Sequence, residues 1–298
     1  MRSDTILSAE ISMPLINRLA VVGVGLIGGS FARALREAGA VAEIVGIDRD
    51  RENLDRAREL GIIDRGCVDP AEGVRGADFV FVAVPVCAIA AVVALIAPHL
   101  APGAVVTDGG SVKEGVVAEC EALLPPAVSF IGGHPIAGTE HSGAAASFAA
   151  LYRGKRCIVT PTPRSDRAAL AKVVAAWEAA GAVVVTMDVA KHDRVVAAIS
   201  HLPHMVAYAL VNAVEGYRHG GEGLLRYSAG GFRDFTRIAS SDPIMWRDIA
   251  LMNKGAVLEM MDHFAGYFGT LRKLVAAGDG PGLERFFRES KESRDAIL

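Results

Sequence analysis

The sequence predicts an α/β domain built on a mostly parallel, doubly wound sheet, followed by an all-α domain. Three observations predict it. From residue 19 to about residue 187, short β-branched runs alternate with helix-length segments, as in a parallel sheet covered by helices on both faces. Beyond that point the alternation stops, and only helical periodicity follows. The first apolar run also feeds a glycine turn, Gly23-Val24-Gly25-Leu26-Ile27-Gly28, with helix-forming sequence behind it. That strand–turn–helix order gives a G-x-G-x-x-G pattern its meaning as a Rossmann-like dinucleotide turn. The expected boundary lies between residues 187 and 188. It leaves a cofactor domain over 1–187, with a loose lead-in over 1–18, and a helical domain over 188–298.

The elements follow in order. Leu19–Val22 is the first strand, and Ser30–Ala38 is helical, closed by Gly39. Ile44–Ile47 is a short strand ending in Asp48, and Glu52–Leu60 is a helix stopped by Gly61, because glycine accepts the left-handed cap. Phe79–Val84 is a buried strand broken by Pro85, and Val86–Ile96 a helix. The uncharged stretch 79–97 approaches the length of a spanning helix. Its β-rich half, its proline and its alanine-rich half instead read as a buried strand and a packed helix. Val105–Asp108 is a strand running into Gly109-Gly110-Ser111, and Lys113–Leu123 a helix stopped by Pro125-Pro126. Ser129–Gly133 is a strand ending in His134-Pro135, and Arg156–Thr160 another. A helix over Asp166–Ala180 and a strand over Ala182–Met187 complete the first domain. The second domain reads as helices over 191–217, 234–238, 244–268 and 283–297, with a flexible loop at His219–Gly223. Its helices carry more apolar face than a small isolated bundle needs, which predicts a homodimer.

Composition narrows the function. The chain has 298 residues with 51% hydrophobic and 22% charged, enough for about two well-cored domains. Its 31 basic and 34 acidic residues give a net charge of −3. Neither nucleic acid nor an anionic membrane surface is an expected partner. The four cysteines are scattered without C-x-x-C spacing, which predicts reduced thiols in a cytoplasmic protein. The N-terminus lacks the layout of a signal peptide.

The glycine turn assigns roles by position. Gly23 makes the turn, Gly25 leaves room for a pyrophosphate, and Gly28 lets helix and strand pack closely. The free N–H groups and positive dipole end of the helix meet the phosphates. Asp48 lies 48 − 28 = 20 residues beyond Gly28, where an acid hydrogen-bonds a ribose 2′-OH and repels a 2′-phosphate. The expected cofactor is therefore NAD rather than NADP, with neighbouring Arg49 able to soften the preference. Candidate cofactor contacts are Gly23, Gly25, Leu26, Ile27, Gly28, Asp48 and Arg49, with Val84, Pro85 and Asp108 at later strand ends.

Polar residues gather at those strand ends, where open α/β sheets bind ligands. One loop reads Asp108-Gly109-Gly110-Ser111-Val112-Lys113, and another runs from Gly132 through His134 to Thr139. His134 is either a proton acceptor for an alcohol being oxidised or a turn cap beside Pro135. Ser111 either binds the same hydroxyl or orients His134. In the second domain, Ser200-His201-Leu202-Pro203-His204 puts two histidines three residues apart. A metal site there lacks the H-E-x-x-H pattern, so the expectation is no metal, one histidine on substrate and the other structural. Asp234 and Arg237, also three apart, are either a helix-internal pair or a carboxylate-binding arginine oriented by an acid. Trp246 is core or pocket.

Together, Gly23–Ser30, Asp108–Lys113, Gly132–Gly143 (GGHPIAGTEHSG), Ser200–His204 and Gly231–Ile249 (GFRDFTRIASSDPIMWRDI) resemble the prephenate/arogenate dehydrogenase family of tyrosine biosynthesis. The resemblance spans residues 19 to about 250 in the family's order. It implies oxidative decarboxylation, with hydride passing from the ring carbon bearing the 4-hydroxyl to NAD while CO2 leaves. It implies that His134 takes the hydroxyl proton, that Ser111 contacts that hydroxyl, and that Arg237 binds a substrate carboxylate. It implies substrate contacts from His204, and places Ser200, Thr139, Asp234 and Trp246 among the pocket candidates. It leaves open prephenate, arogenate or both as substrate. No chorismate mutase segment or regulatory ACT domain is expected.

Overall fold

The computed structural model describes residues 13–139, 141–219 and 222–297. Most of the N-terminal lead-in therefore lies outside the described residues. Two compact units are present, Met1–Asp193 with Ser241–Met252, and Arg194–Ser240 with Asn253–Leu298.

The first unit begins with β1 (Ile16–Val22), α1 (Leu26–Glu37), β2 (Val41–Ile47), α2 (Arg51–Glu59), β3 (Arg65–Cys67) and a one-turn α3 (Pro70–Gly73). There follow β4 (Phe79–Val82), α4 (Ile89–Ile96), β5 (Val105–Asp108), α5 (Glu114–Leu123) and β6 (Ser129–Pro135). The unit's sheet ends with β7 (Arg156–Thr160), α6 (Arg167–Ala179) and β8 (Val183–Thr186), and α7 (Val189–Val196) leads out of it. One eight-stranded sheet runs in the order β3-β2-β1-β4-β5-β6-β7-β8. Every pairing is parallel except β6 with β7. The order reverses between β1 and β4, the switch point at which such sheets open a crevice for ligands.

The interior explains the strands' continuous apolar runs. β4 and the last four residues of β1 are fully buried, as a parallel sheet covered on both faces requires. Phe31 from α1 meets Phe81 and Trp177 with ring centroids 4.6 Å from each. Tyr152 packs edge-on against Trp177 and donates its hydroxyl to Ile27 O at 2.6 Å. The glycine helix is therefore anchored to the core from behind.

Several local expectations are corrected. The lead-in ends earlier than residue 18, because Ile16 and Asn17 already belong to β1. The first helix starts at Leu26 rather than Ser30, since the last glycines of the turn take up helical geometry. β3 is a three-residue edge strand without an apolar period, and the sequence reading missed it. Val86–Ala88 is a 3₁₀ turn before α4.

The second unit holds a π-helical turn (Ala197–His201), α8 (Leu202–Gly216), α9 (Gly230–Thr236), α11 (Lys254–Ala277) and α12 (Gly280–Asp295). The helix expected over 191–217 is thus interrupted by that π turn. The expected loop at 219–223 is flanked by a two-stranded ladder, β9 (Arg218–His219) against β10 (Glu222–Gly223). The helix expected over 244–268 is two helices, α10 (Pro243–Met252) and α11, separated at Asn253. α10 belongs to the first unit, where it packs on the Val86–Ala88 turn and Cys87 Sγ donates to Asp248 Oδ2 at 3.0 Å. The continuous helical run Val189–Gly216 has 28 residues and a window of mean hydropathy 1.4, of which 22% is buried. That length and composition suit a membrane span. A helix that turns an apolar face to a protein partner has the same composition.

Candidate active site

The glycine turn sits at the switch point. Gly23 has φ +93°, and a Cβ there would lie 2.5 Å from Ala83 O on the neighbouring loop after β4. A Cβ on Gly28 would lie 2.0 Å from Gly23 O. Only glycine fits these two positions. Gly25 differs, with open space around its missing side chain. Gly25 is also the N-cap of α1, and no side chain caps that helix. A helix N-terminus with uncommitted amides beside an open glycine is the cradle a pyrophosphate needs. Leu26 is buried and Ile27 half-buried, so their side chains serve packing and their backbone lines the turn. Val84 is half-buried and Pro85 exposed on the β4 side of the crevice.

Asp48 closes β2 beside this turn. Its carboxylate accepts from Val24 N at 3.2 Å, Asp50 N at 3.1 Å and Asn53 Nδ2 at 3.1 Å. Asn53 also donates to Val24 O at 2.9 Å and accepts from Ala144 N at 2.9 Å. One amide, unremarked in the sequence, thus ties the turn, the acid and the loop beyond His134 together. Arg49 is exposed next to it.

The strand ends of β5 and β6 form a second cluster. Asp108, expected among the cofactor contacts, has another role. Its carboxylate is wholly buried, ion-paired with the equally buried Lys113, and accepts from Gly110 N at 2.8 Å and Gly133 N at 3.1 Å. With its oxygens enclosed by protein donors, it clamps the Ser111 loop to β6. Ser111 is half-buried within that loop. His134 lies in β6, paired with Ile158 of β7, rather than in a following loop. A strand holds an imidazole more rigidly than a turn does. Its Nδ1 lies 2.8 Å from His192 Nε2, and His192 Nδ1 lies 2.7 Å from Asp193 Oδ1. Sequence reasoning quoted Lys113 only as the end of the Asp108–Lys113 loop and read His192 and Asp193 only as part of a helix, so none of the three was named as a site residue. Thr139 is exposed, and its Oγ1 accepts from His141 N at 3.3 Å. Trp246 is buried on α10 in this same unit.

The second unit carries the remaining candidates. His201 is buried with Nδ1 3.2 Å from Asn253 Nδ2, whereas half-buried His204 points Nδ1 at Ser200 O, 2.9 Å away. Burial lowers the His204 pKa. The Ser200 carbonyl opposes this, and the Arg237 charge adds to the lowering. His204 is thus a neutral hydrogen-bonding group near a cation. Arg237 and Asp234 are both exposed. No hydrogen bond or ion pair joins them among the described residues, which corrects the expectation that Asp234 orients Arg237. Both side chains stand in solvent at the junction where α9 ends at Thr236 and Arg237 opens a 3₁₀ turn. No group of three or more metal-ligating side chains is assembled among the described residues.

Residues 31–186 match the prephenate dehydrogenase nucleotide-binding domain, and residues 188–289 the prephenate dehydrogenase dimerization domain. A cyclohexadienyl dehydrogenase of Zymomonas mobilis is 38% identical over 96% of this chain and 97% of its own. A prephenate dehydrogenase of Bacillus subtilis is 37% identical over 93% of this chain and 75% of its own. The structure of Aquifex aeolicus prephenate dehydrogenase with hydroxyphenyl propionate and NAD+ superposes with TM-score 0.90 at 40% identity, covering 97% of this chain and all of the other. A glycine cradle at the switch point, a histidine fixed at a strand end and near-complete correspondence with these relatives agree: the chain belongs to the prephenate dehydrogenase family and is a dehydrogenase with a nucleotide-binding domain.

Proposed function

We propose that this protein oxidatively decarboxylates prephenate with NAD, giving 4-hydroxyphenylpyruvate, CO2 and NADH. The observation that carries the reading is His134 on β6 beside the loop after β5 that carries Ser111, on the sheet that also presents the glycine cradle and Asp48. NAD bound at that cradle supplies the hydride acceptor. His134 takes the proton of the substrate hydroxyl, and Ser111 hydrogen-bonds the same oxygen. Arg237 binds a substrate carboxylate, which a dianion demands of a site. His204 contacts the substrate as a neutral donor or acceptor, with Ser200, Thr139 and Trp246 as further pocket members. Asp48 selects NAD over NADP through the ribose.

In this reading residues 1–187 hold the cofactor and residues 188–298 bind substrate and dimerise, in a cytoplasmic enzyme. A second reading, arogenate or both compounds as substrate, is favoured by one observation. The cyclohexadienyl relative is matched over nearly its whole length. The decisive experiment mixes purified protein with NAD and either prephenate or arogenate and follows nicotinamide absorbance. Reduction with prephenate supports the first reading, and reduction with arogenate alone the second. No reduction with either overturns both.

A further inference from the structure

A chain of hydrogen bonds lies behind His134. His134 Nδ1 faces His192 Nε2 at 2.8 Å, and His192 Nδ1 faces Asp193 Oδ1 at 2.7 Å. The same carboxylate accepts from Lys113 N at 2.8 Å and Glu114 N at 2.9 Å. It therefore caps the start of α5, a helix whose own N-cap residue supplies no capping side chain. His192 is wholly buried and Asp193 is 3% exposed. Ser111 stands two residues before Lys113. One anion thus fixes both the histidine and the loop of the serine.

We propose that His192 and Asp193 are positioning residues that set the tautomer of His134. The inference rests on the reading of His134 as the proton acceptor. Burial raises the Asp193 pKa, but hydrogen bonds from His192 and from the Glu114 and Lys113 amides outweigh it and hold the carboxyl below its ordinary range. An ionised carboxylate only accepts, so His192 carries its proton on Nδ1. With its Nδ1 donating to Asp193, His192 faces His134 Nδ1 through Nε2, and in this proposal His134 donates across that contact. The basic nitrogen of His134 is thereby Nε2, the one turned away from the relay. In the reaction the substrate O–H bond breaks and its proton goes to Nε2. The oxygen's electron pair forms a carbonyl as hydride passes to the nicotinamide; breaking the ring-carboxylate bond then releases CO2, returns an electron pair to that oxygen, and the oxygen takes the proton back from Nε2 as the phenol. The relay protons stay on their nitrogens. Asp193 stabilises the resulting imidazolium without taking its proton, as the carboxylate of a catalytic triad does.

Among the described residues, the ionisable groups near the two rings include Asp193 on α7, Asp108 at the end of β5 with its partner Lys113 at the start of α5, and Cys157 on β7. Burial pushes the Cys157 thiol up, and the Asp108 and Lys113 charges offset each other. Asp193 is the anion hydrogen-bonded to the pair.

The test compares the full-length wild type with Asp193→Asn and His192→Phe. It reads kcat, both KM values, the pH profile of kcat/KM, melting temperature, NAD binding, and imidazole tautomers by ¹⁵N NMR. The expected result is a fall in kcat of about 10²-fold with little change in KM, within the range general-base catalysis spans. The acid limb should move to lower pH, because the imidazolium loses its counter-ion. The wild-type spectrum should show His134 protonated on Nδ1. Should Asp193→Asn unfold because the α5 cap is lost, His192→Phe leaves that cap intact and carries the test. A wild-type His134 protonated on Nε2 overturns the proposal. So do variants that lose melting temperature but keep kcat and the pH limb. If the wild type reduces no nicotinamide with either substrate, the functional reading fails while the tautomer readout still decides the relay.

Discussion

Single residues divide here into those that do chemistry and those that hold them. On the proposed function, His134→Asn should lower kcat by about 10²- to 10⁴-fold with little change in KM, because it removes the proposed proton acceptor. Arg237→Gln should mainly raise KM for the substrate. Steady-state kinetics separate the two, and the reverse pattern would show the roles exchanged. Lys113 makes the opposite point. Its ammonium is wholly buried against the buried Asp108 carboxylate, so Lys113→Ala strands a charge and should destabilise the fold by about 3–5 kcal/mol. Urea unfolding measures this, and an unchanged midpoint would mean water reaches Asp108. The positions proposed for chemistry were nominated from the sequence because a histidine or serine at the end of a β-run falls at a strand's carboxyl end. Residues of the second kind were not. His192 meets His134 across 58 positions and Lys113 meets Asp193 across 80, and no local periodicity records such a meeting. Asp108 was misread for the same reason: its position suggested a ligand contact, and its partners turned it into a clamp.

At the scale of elements, the glycine turn separates fold from binding. Gly28→Ala places a Cβ 2.0 Å from a backbone oxygen, while Gly25→Ala places one in open space. The first should lower the melting temperature. The second should leave it unchanged yet weaken NAD binding, since the pyrophosphate needs that space. Calorimetry with an NAD titration distinguishes them, and equal losses of stability would refute the division. Asp78 joins elements in another way. It accepts from Arg18 N at 2.7 Å and Asn17 N at 3.2 Å at the start of β1, and from Lys172 Nζ of α6 at 2.8 Å. Burial opposes ionisation, but the bond from Lys172 and those from the two amides prevail, so its pKa is lowered. A lowered native pKa gives stability that is present above the unfolded value and lost as pH falls through the native one. Asp78→Asn should therefore cost stability at neutral pH, and the gap from wild type should narrow in acid. A gap that is constant with pH would show that charge is not the cause. Most elements were readable because apolar runs of β-branched residues and glycine-closed helices are local patterns. β3 was not, since three residues on a sheet edge carry no period. The break at Asn253 was not, since the nearest glycine, Gly255, falls inside α11 rather than at the break.

For the whole molecule, the question is what the second unit's apolar surface meets. α11 exposes Leu258, Met261, Phe264, Tyr267 and Phe268, the last 60% exposed. Phe264 and Phe268 stack with ring centroids 6.1 Å apart. Rings one helical turn apart on a 24-residue helix make a continuous stripe, larger than a solitary domain leaves in water. The match of residues 188–289 to a dimerization domain makes a second copy of the chain the occupant to test for that stripe. The expectation is that light scattering finds a dimer and that melting temperature rises with protein concentration, as mass action requires when folding and association are linked. The double substitution Phe264→Glu with Phe268→Glu puts charges into that stripe on both copies. It should give a monomer whose melting temperature is lower and independent of concentration. A wild type that runs as a monomer at micromolar concentration, or a double variant that stays dimeric, would place the interface elsewhere. The helical run Val189–Gly216 is tested by the same samples. If its apolar length served a lipid bilayer, the purified chain would need detergent to remain in solution, and the Phe264/Phe268 variant would leave that need unchanged.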